Sequence, residues 1–377
     1  MFVPTLRHIT LAKIAVVVYT DREIRNLEKE LQKPLHLLPG QSWESIIKEK
    51  LPAFVFPLVL QNEIVALMRA ISFEVQQWMD DHHGILFTDD ENFIRFCWNS
   101  NGTIDRLGTA DFLIKSEHLS FEKRFSLACQ YWPGSCILAF WRAMPRCAQT
   151  CILQKYADEC SIDTIHKANV KLWITWLKEG CSCHNINCNY KCILQSFHWT
   201  KVTIHSRLLQ NLFRTHRDIL VTGIIKYCRS TVFVRSCLVK IDASVRKEIL
   251  NSYPYQVLRI FLFWPFQDLF IDAANGVWEK LSEKLFACLL HIIICQKITL
   301  EWRDYNYVHL LRRFWHESPA GFRKYVQNID IFIILTEFIQ RGYLQNSIPG
   351  RFLLHDRDAL RNAELCKVMT DNHFKLQ

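Results

Sequence analysis

Apolar residues recur along most of this chain at intervals of three and four, the spacing that lines one face of an α-helix. Leu6, Ile9, Thr10, Lys13, Ile14 and Val17 keep this period, which predicts a helix from 5 to about 32. Pro34, Pro39, Pro52 and Pro57 then cut the chain into short helices. Ile64, Leu67, Met68, Ile71, Val75 and Trp78 mark an amphipathic helix over 61–79. Asp80, Asp81, His82, His83 and Gly84 close it, and with Asp89, Asp90 and Glu91 they read as a hydrated surface loop. Residues 93–104, with Asn99-Ser100-Asn101-Gly102 at their centre, suggest a small β-hairpin.

The clearest unit is 120–144. Ser120 suits an N-cap, because its hydroxyl oxygen accepts from an exposed first-turn amide. Phe121, Phe125, Ala128, Cys129 and Trp132 share one helical face, and Pro133-Gly134 breaks the helix. Ile137, Phe140, Trp141 and Met144 form the face of a second helix, which Pro145 stops. The two make an αα-hairpin with more large apolar side chains than it can bury against itself, so Phe125, Phe140 and Trp141 are expected in a core. Further short helices are expected over 165–177, 204–213, 219–227, 233–241, 257–263, 277–294, 308–315 and 329–339.

Composition points the same way. Glycine and proline number 11 each, well below their usual share of roughly 7% and 5%. Sandwiches, barrels and doubly wound folds spend glycine on turns. The expectation is an all-α protein of stacked helical hairpins, an α-solenoid or ankyrin-like array, with one irregular helical globule as the alternative. The segments are read as an N-terminal helical region 1–92, a repeat region 93–345 and a tail 346–377.

Glycine spacing also excludes chemistry. The closest pair, Gly102 and Gly108, is six positions apart. No dinucleotide fingerprint, phosphate-cradling P-loop or nucleophile elbow fits that spacing. His216-Arg217-Asp218 looks like a kinase catalytic loop, but Gly223 stands where the metal-binding Asn belongs. No catalytic residue and no cofactor is assigned.

The fifteen cysteines are an odd number, and the first apolar run, 14–19, is short for a secretory leader. The longest apolar run, 285–295, is flanked by Lys284 and Lys297 and is too short to span a bilayer. The expectation is a cytoplasmic protein without a membrane span, the nucleus remaining open, in which cysteine serves as a small buried hydrophobe.

Two resemblances bear on these residues. Arg124-Phe125-Ser126-Leu127-Ala128-Cys129-Gln130-Tyr131, with Ile137 and Leu138, resembles a degenerate ankyrin repeat without the Thr-Pro-Leu-His opening. With Trp98 to Leu107, the pattern resembles an expanded family of arachnid proteins built of helical, ankyrin-like hairpins, over about residues 5 to 145. That resemblance implies no chemistry. Thr5-Leu6, Thr10 and Ile14 are similar in spacing to the elongin-binding half of a suppressor-of-cytokine-signalling box. Leu38-Pro39 stands where that box has its cullin-selecting Leu-Pro. Such boxes lie at the C-terminus and carry Cys where Thr10 stands. The resemblance implies docking of an apolar helical stripe in a partner groove, with elongin and a cullin as partners. The plainer reading of the same residues is a first core helix.

Two clusters remain. Cys181, Cys183, His184, Cys188 and Cys192 offer enough sulfur and imidazole for structural zinc, yet lack the paired knuckles of a closed site, so free thiols in a loop are the expected state. Asp80, Asp81, His82 and His83 are adjacent and cannot all face one ion. Residues 201–260 hold eleven Lys/Arg and three acids, so +8 of the net +9 is concentrated there. Arg207, Arg214, Arg217 and Arg229 are the candidates for a face that attracts an acidic protein. No nucleic-acid motif accompanies them. The sequence therefore reads as a non-enzymatic interaction scaffold, with an elongin/cullin substrate receptor as the alternative and an enzyme of unrecognised type as a remote third.

Overall fold

The structure is a computed structural model. It describes residues 5–52, 55–86, 94–132, 134–157, 165–178, 214–227, 231–340 and 348–353, with the single positions 357 and 361. The protein is all-α: among the described residues helix makes up 74%, with eighteen α-helices and no strand.

In chain order the helices are α1 (Leu6–Tyr19), α2 (Arg22–Glu30), α3 (Glu44–Glu49), α4 (Leu58–Asp81), α5 (Arg106–Lys115), α6 (Phe121–Tyr131), α7 (Gly134–Ala143), α8 (Arg146–Lys155) and α9 (Ile165–Lys178). There follow α10 (Arg214–Tyr227), α11 (Thr231–Lys240), α12 (Ala243–Ser252), α13 (Pro254–Phe261), α14 (Phe270–Asn275) and α15 (Glu283–His291). The last are α16 (Tyr307–Glu317), α17 (Ala320–Val326) and α18 (Ile331–Gln340). A π-helix, Ile292–Ile298, continues α15. The chain forms two compact units. One contains residues 1–76, 100–103 and 239–377, and the other contains 77–99 and 104–238.

Capping side chains fix where the helices start. Asp105 accepts from the Gly108 amide at 3.1 Å, Ser120 from Lys123 at 3.4 Å and Asn306 from His309 at 3.0 Å. The helix expected over 5–32 is broken because Asp21 caps a second one, accepting from the Glu23 amide at 2.9 Å. The helix expected over 277–294 is likewise divided. Ser282 starts α15 by accepting from Leu285 at 3.4 Å, and the apolar run beyond it winds as π-helix. Of the suggested hairpin, the described residues keep a single antiparallel bridge, Trp98 to Ile104.

In the second unit Phe125 is fully buried, with its ring 5.0 Å from that of Trp141. Trp132 meets Phe140 edge-on at 5.9 Å. Phe140 and Trp141 are themselves half-buried. In the first unit the π-helix and α15 form the apolar centre, where Phe286 and Phe314 lie 4.8 Å apart. Among the described residues, no helix is long and apolar enough to cross a membrane.

Candidate functional site

The first helix presents an outward face on which two large apolar side chains, Leu6 and Val17, flank Thr10 and Lys13. Thr5 caps α1 by accepting from the His8 amide at 3.2 Å. The buried face is Leu11, Ala12, Ala15, Val18 and Tyr19. Its small residues let the backbone come close: Gly102, at φ +77°, lies so near that a Cβ there would stand 3.2 Å from the Ala12 Cβ. The residues whose period defined the helix lie on the other side. Leu6 is 79% exposed and Val17 70% exposed. Thr5, Thr10 and Lys13 are exposed as well, and Ile14 is half-buried. The expectation that this side forms the core face is therefore corrected. The core side is chosen by the alanines, which permit tighter packing than Leu6 or Val17. Arg7 reaches Glu63 of α4 at 2.5 Å, and Leu58 and Val59, at the start of α4, are also exposed.

Behind this helix lies a polar network withdrawn from water. Glu28 accepts from the Tyr19 hydroxyl at 3.0 Å, the Leu35 amide at 2.7 Å and the Ser72 hydroxyl at 2.9 Å, and Arg25 pairs with it. Ser72 in turn accepts from the His36 amide at 3.2 Å, and the His36 carbonyl accepts from Arg69 at 2.8 Å. Arg69 then meets Glu301 at 3.1 Å. Burial pushes the Tyr19 phenol up, and the Glu28 carboxylate adds to the shift. Burial also lowers Arg69 to about 10 against the opposing pull of Glu301, which leaves it charged at neutral pH. The network joins residues far apart in sequence, and its last member, Glu301, lines a small cleft.

Lys297 flanks the longest apolar run of the sequence. It is fully buried, with its ammonium 3.3 Å from the centre of the Trp302 ring and 3.6 Å from that of Phe263. The extra residue of the π-turn carries it inward, where the ring faces stabilise the cation. A small cleft of about 50 Å³, lined by Ile298, Glu301, Trp302, Arg303, Tyr307 and Leu353 among others, lies on this side of the unit.

Asp80 to Gly84 is not wholly a hydrated loop. His82 is fully buried, stacked 3.8 Å from Trp78 and 5.6 Å from Tyr131. Its Nδ1 lies 2.6 Å from the Trp78 carbonyl, which only accepts, so Nδ1 carries the proton. Nε2 then accepts from the Tyr131 hydroxyl at 2.7 Å. Asp81 accepts from the buried Arg106 at 2.7 Å. Burial raises Tyr131 to about 12. His82 is thus engaged in packing and hydrogen bonds, and no group of metal-binding side chains forms among the described residues.

Cys181, Cys183, His184, Cys188, Cys192, Arg207 and Arg229 lie outside the described residues, as do the side chains of Arg214 and Arg217 on α10. Arg235, counted within the basic segment, is buried, and the segment 201–260 falls partly in each unit. Leu38 is buried, which leaves Pro39 as the more open half of that step. The Glu28–Arg69 network was not singled out by sequence reasoning. One signal was present: Ser72 lies four residues after Met68 and eight after Ile64, a polar residue on the apolar face of α4. No family model matches the chain, and no curated protein and no solved structure matches it.

Proposed function

We propose that this protein is a non-catalytic, protein-binding module whose docking element is the outward face of α1. The observation that carries this reading is the exposure of Leu6 and Val17 on a helix anchored through its opposite side. Holding a large apolar side chain in water forgoes roughly 1.5–3 kcal/mol relative to burying it, so a partner groove that covers both gains that energy. The face is preformed on a capped, packed helix, which lowers the ordering cost of docking. Glu28, Arg69 and His82 are engaged in packing and hydrogen bonds, which supports a binding role over a chemical one.

Within this reading, the elongin/cullin substrate receptor gains from one specific feature. Thr5, Leu6 and Thr10, three of the four residues whose spacing is similar to the elongin-binding half-box, stand on the exposed side. The test is binding of the purified full chain to an elongin B–elongin C heterodimer by calorimetry. Binding abolished by Leu6→Glu and retained by Ile333→Glu, a change at an exposed position on α18, supports the elongin reading. If the wild-type chain does not bind elongin, that reading falls. The wider proposal falls if partners recovered from native cells are held equally by Leu6→Glu and Val17→Glu chains.

A further inference from the structure

The expected burial of cysteine holds for Cys129, Cys237, Cys288 and Cys295. Cys147 and Cys151 break it, for both are exposed thiols on α8. They are four residues apart, so they share a helical face with Cβ atoms about 5–6 Å apart. A disulfide needs Cβ atoms about 3.5–4.5 Å apart, so the helix keeps the two sulfurs from joining directly. The helix is pinned by buried Ile152, and Gln149 ties it back by donating to the Trp141 carbonyl at 2.7 Å. What the spacing does suit is a bridge of one atom, with both sulfurs converging on a soft cation.

The geometry points to a copper(I) site formed by Cys147 and Cys151. Both thiols lose a proton to solvent, one Cu⁺ gains two sulfur bonds, and the bound unit carries a single negative charge. Charge on the helix suits that product: Arg146, next to Cys147, is exposed, and α8 contains no acid, while Lys155 at its end pairs with Glu122. No third Cys, His, Asp or Glu joins the pair among the described residues. Zinc takes four ligands in a structural site, and this pair supplies two. Closed-shell Cu⁺ is soft, favours thiolate and is satisfied by two sulfurs in a near-linear arrangement.

The experiment uses the reduced full chain under anaerobic conditions, with Cu⁺ delivered as its glutathione complex. Alkylation by iodoacetamide is followed at each cysteine by peptide mass spectrometry, so the other thirteen thiols do not blur the result. Cu⁺ is expected to slow alkylation of Cys147 and Cys151 together by about ten-fold or more, because the thiolate is the reactive species. In Cys151→Ser the protection of Cys147 is lost, and the reverse holds in Cys147→Ser, while circular dichroism stays unchanged. Equal alkylation rates with and without Cu⁺ overturn the proposal. So does undiminished protection in either single variant. Zn²⁺ protecting the pair as well as Cu⁺ overturns the two-coordinate assignment.

Discussion

Arg69 and Glu301 stand 232 residues apart in sequence and 3.1 Å apart in space, with side chains only 2% and 9% exposed. The Arg69 guanidinium also lies over the Trp43 ring at 5.3 Å, and the same Glu301 oxygen accepts from the Gly40 amide at 2.9 Å. The pair thus ties α4 to the loop after the π-helix and to the turn before α3. Removing one member of such a pair leaves the other charge stranded in the interior. Arg69→Met should therefore cost about 3–5 kcal/mol in reversible urea unfolding. Arg69→Met combined with Glu301→Gln should cost less than the two single changes added together. Additive losses would mean that the two side chains do not act as a pair.

The His82–Tyr131 contact makes a similar statement about the second unit. Tyr131→Phe keeps the stacked ring and removes the hydroxyl, so His82 Nε2 loses a donor where water does not reach. An unsatisfied buried acceptor costs about 1–3 kcal/mol. The loss should appear in urea unfolding, with the near-ultraviolet aromatic signal retained. A cost below about 0.5 kcal/mol would show that this hydrogen bond is not formed.

Two glycines should respond in opposite directions. Gly102 has φ +77° and faces Ala12, so alanine there meets both backbone strain and a 3.2 Å contact. Gly102→Ala should destabilise by about 1–2 kcal/mol. Gly223 lies within α10, and nothing stands within 4 Å of where its Cβ would be. Gly223→Ala should stabilise by about 0.5–1 kcal/mol, since alanine is the better helix former. Thermal melts of the two variants against the wild type check both signs.

The architecture was largely legible because it rests on local rules. The 3.6-residue period, Ser120 as a cap and Pro133, Pro145 and Gly134 as breakers act within a few residues of themselves, and Phe125 falls in the core as its spacing requires. What periodicity does not settle is which face of an apolar helix turns inward. On α1 both sides carry apolar residues, and the choice depends on whether a neighbour such as Gly102 packs against small side chains. The same limit hid Lys297. One π-turn rotates the residues after His291 relative to an α-helix, and a flanking charge becomes a buried one. Arg69 and Glu301 lie too far apart in sequence for any spacing rule to connect them. Cys147 and Cys151 had the spacing of a shared face, but only their exposure distinguishes them from the buried cysteines.

Asp304 supplies a pH test of the same region. Its carboxylate accepts from Gln267 at 2.6 Å and stands 3.4 Å from the Tyr307 hydroxyl, while its other oxygen makes no hydrogen bond. Burial raises this carboxyl from 3.8 to about 6, against the opposing pull of the Lys297 ammonium. A raised carboxyl means that the fold holds the proton more tightly than the unfolded chain does. Its stabilising contribution is therefore complete below about 3.8 and is lost as pH rises through about 6. The interval is about two pKa units, which sets an upper bound of roughly 3 kcal/mol. Other carboxylates titrate in the same range, so the informative quantity is the difference between wild type and Asp304→Asn. The asparagine cannot titrate, and its unfolding free energy should lack this component. Urea titrations at intervals from pH 4 to pH 7.5 should show the wild type losing stability relative to Asp304→Asn as pH rises. A difference that stays constant, or that runs the other way, would mean that Asp304 is ionised in the fold across the whole range and that Lys297 outweighs burial.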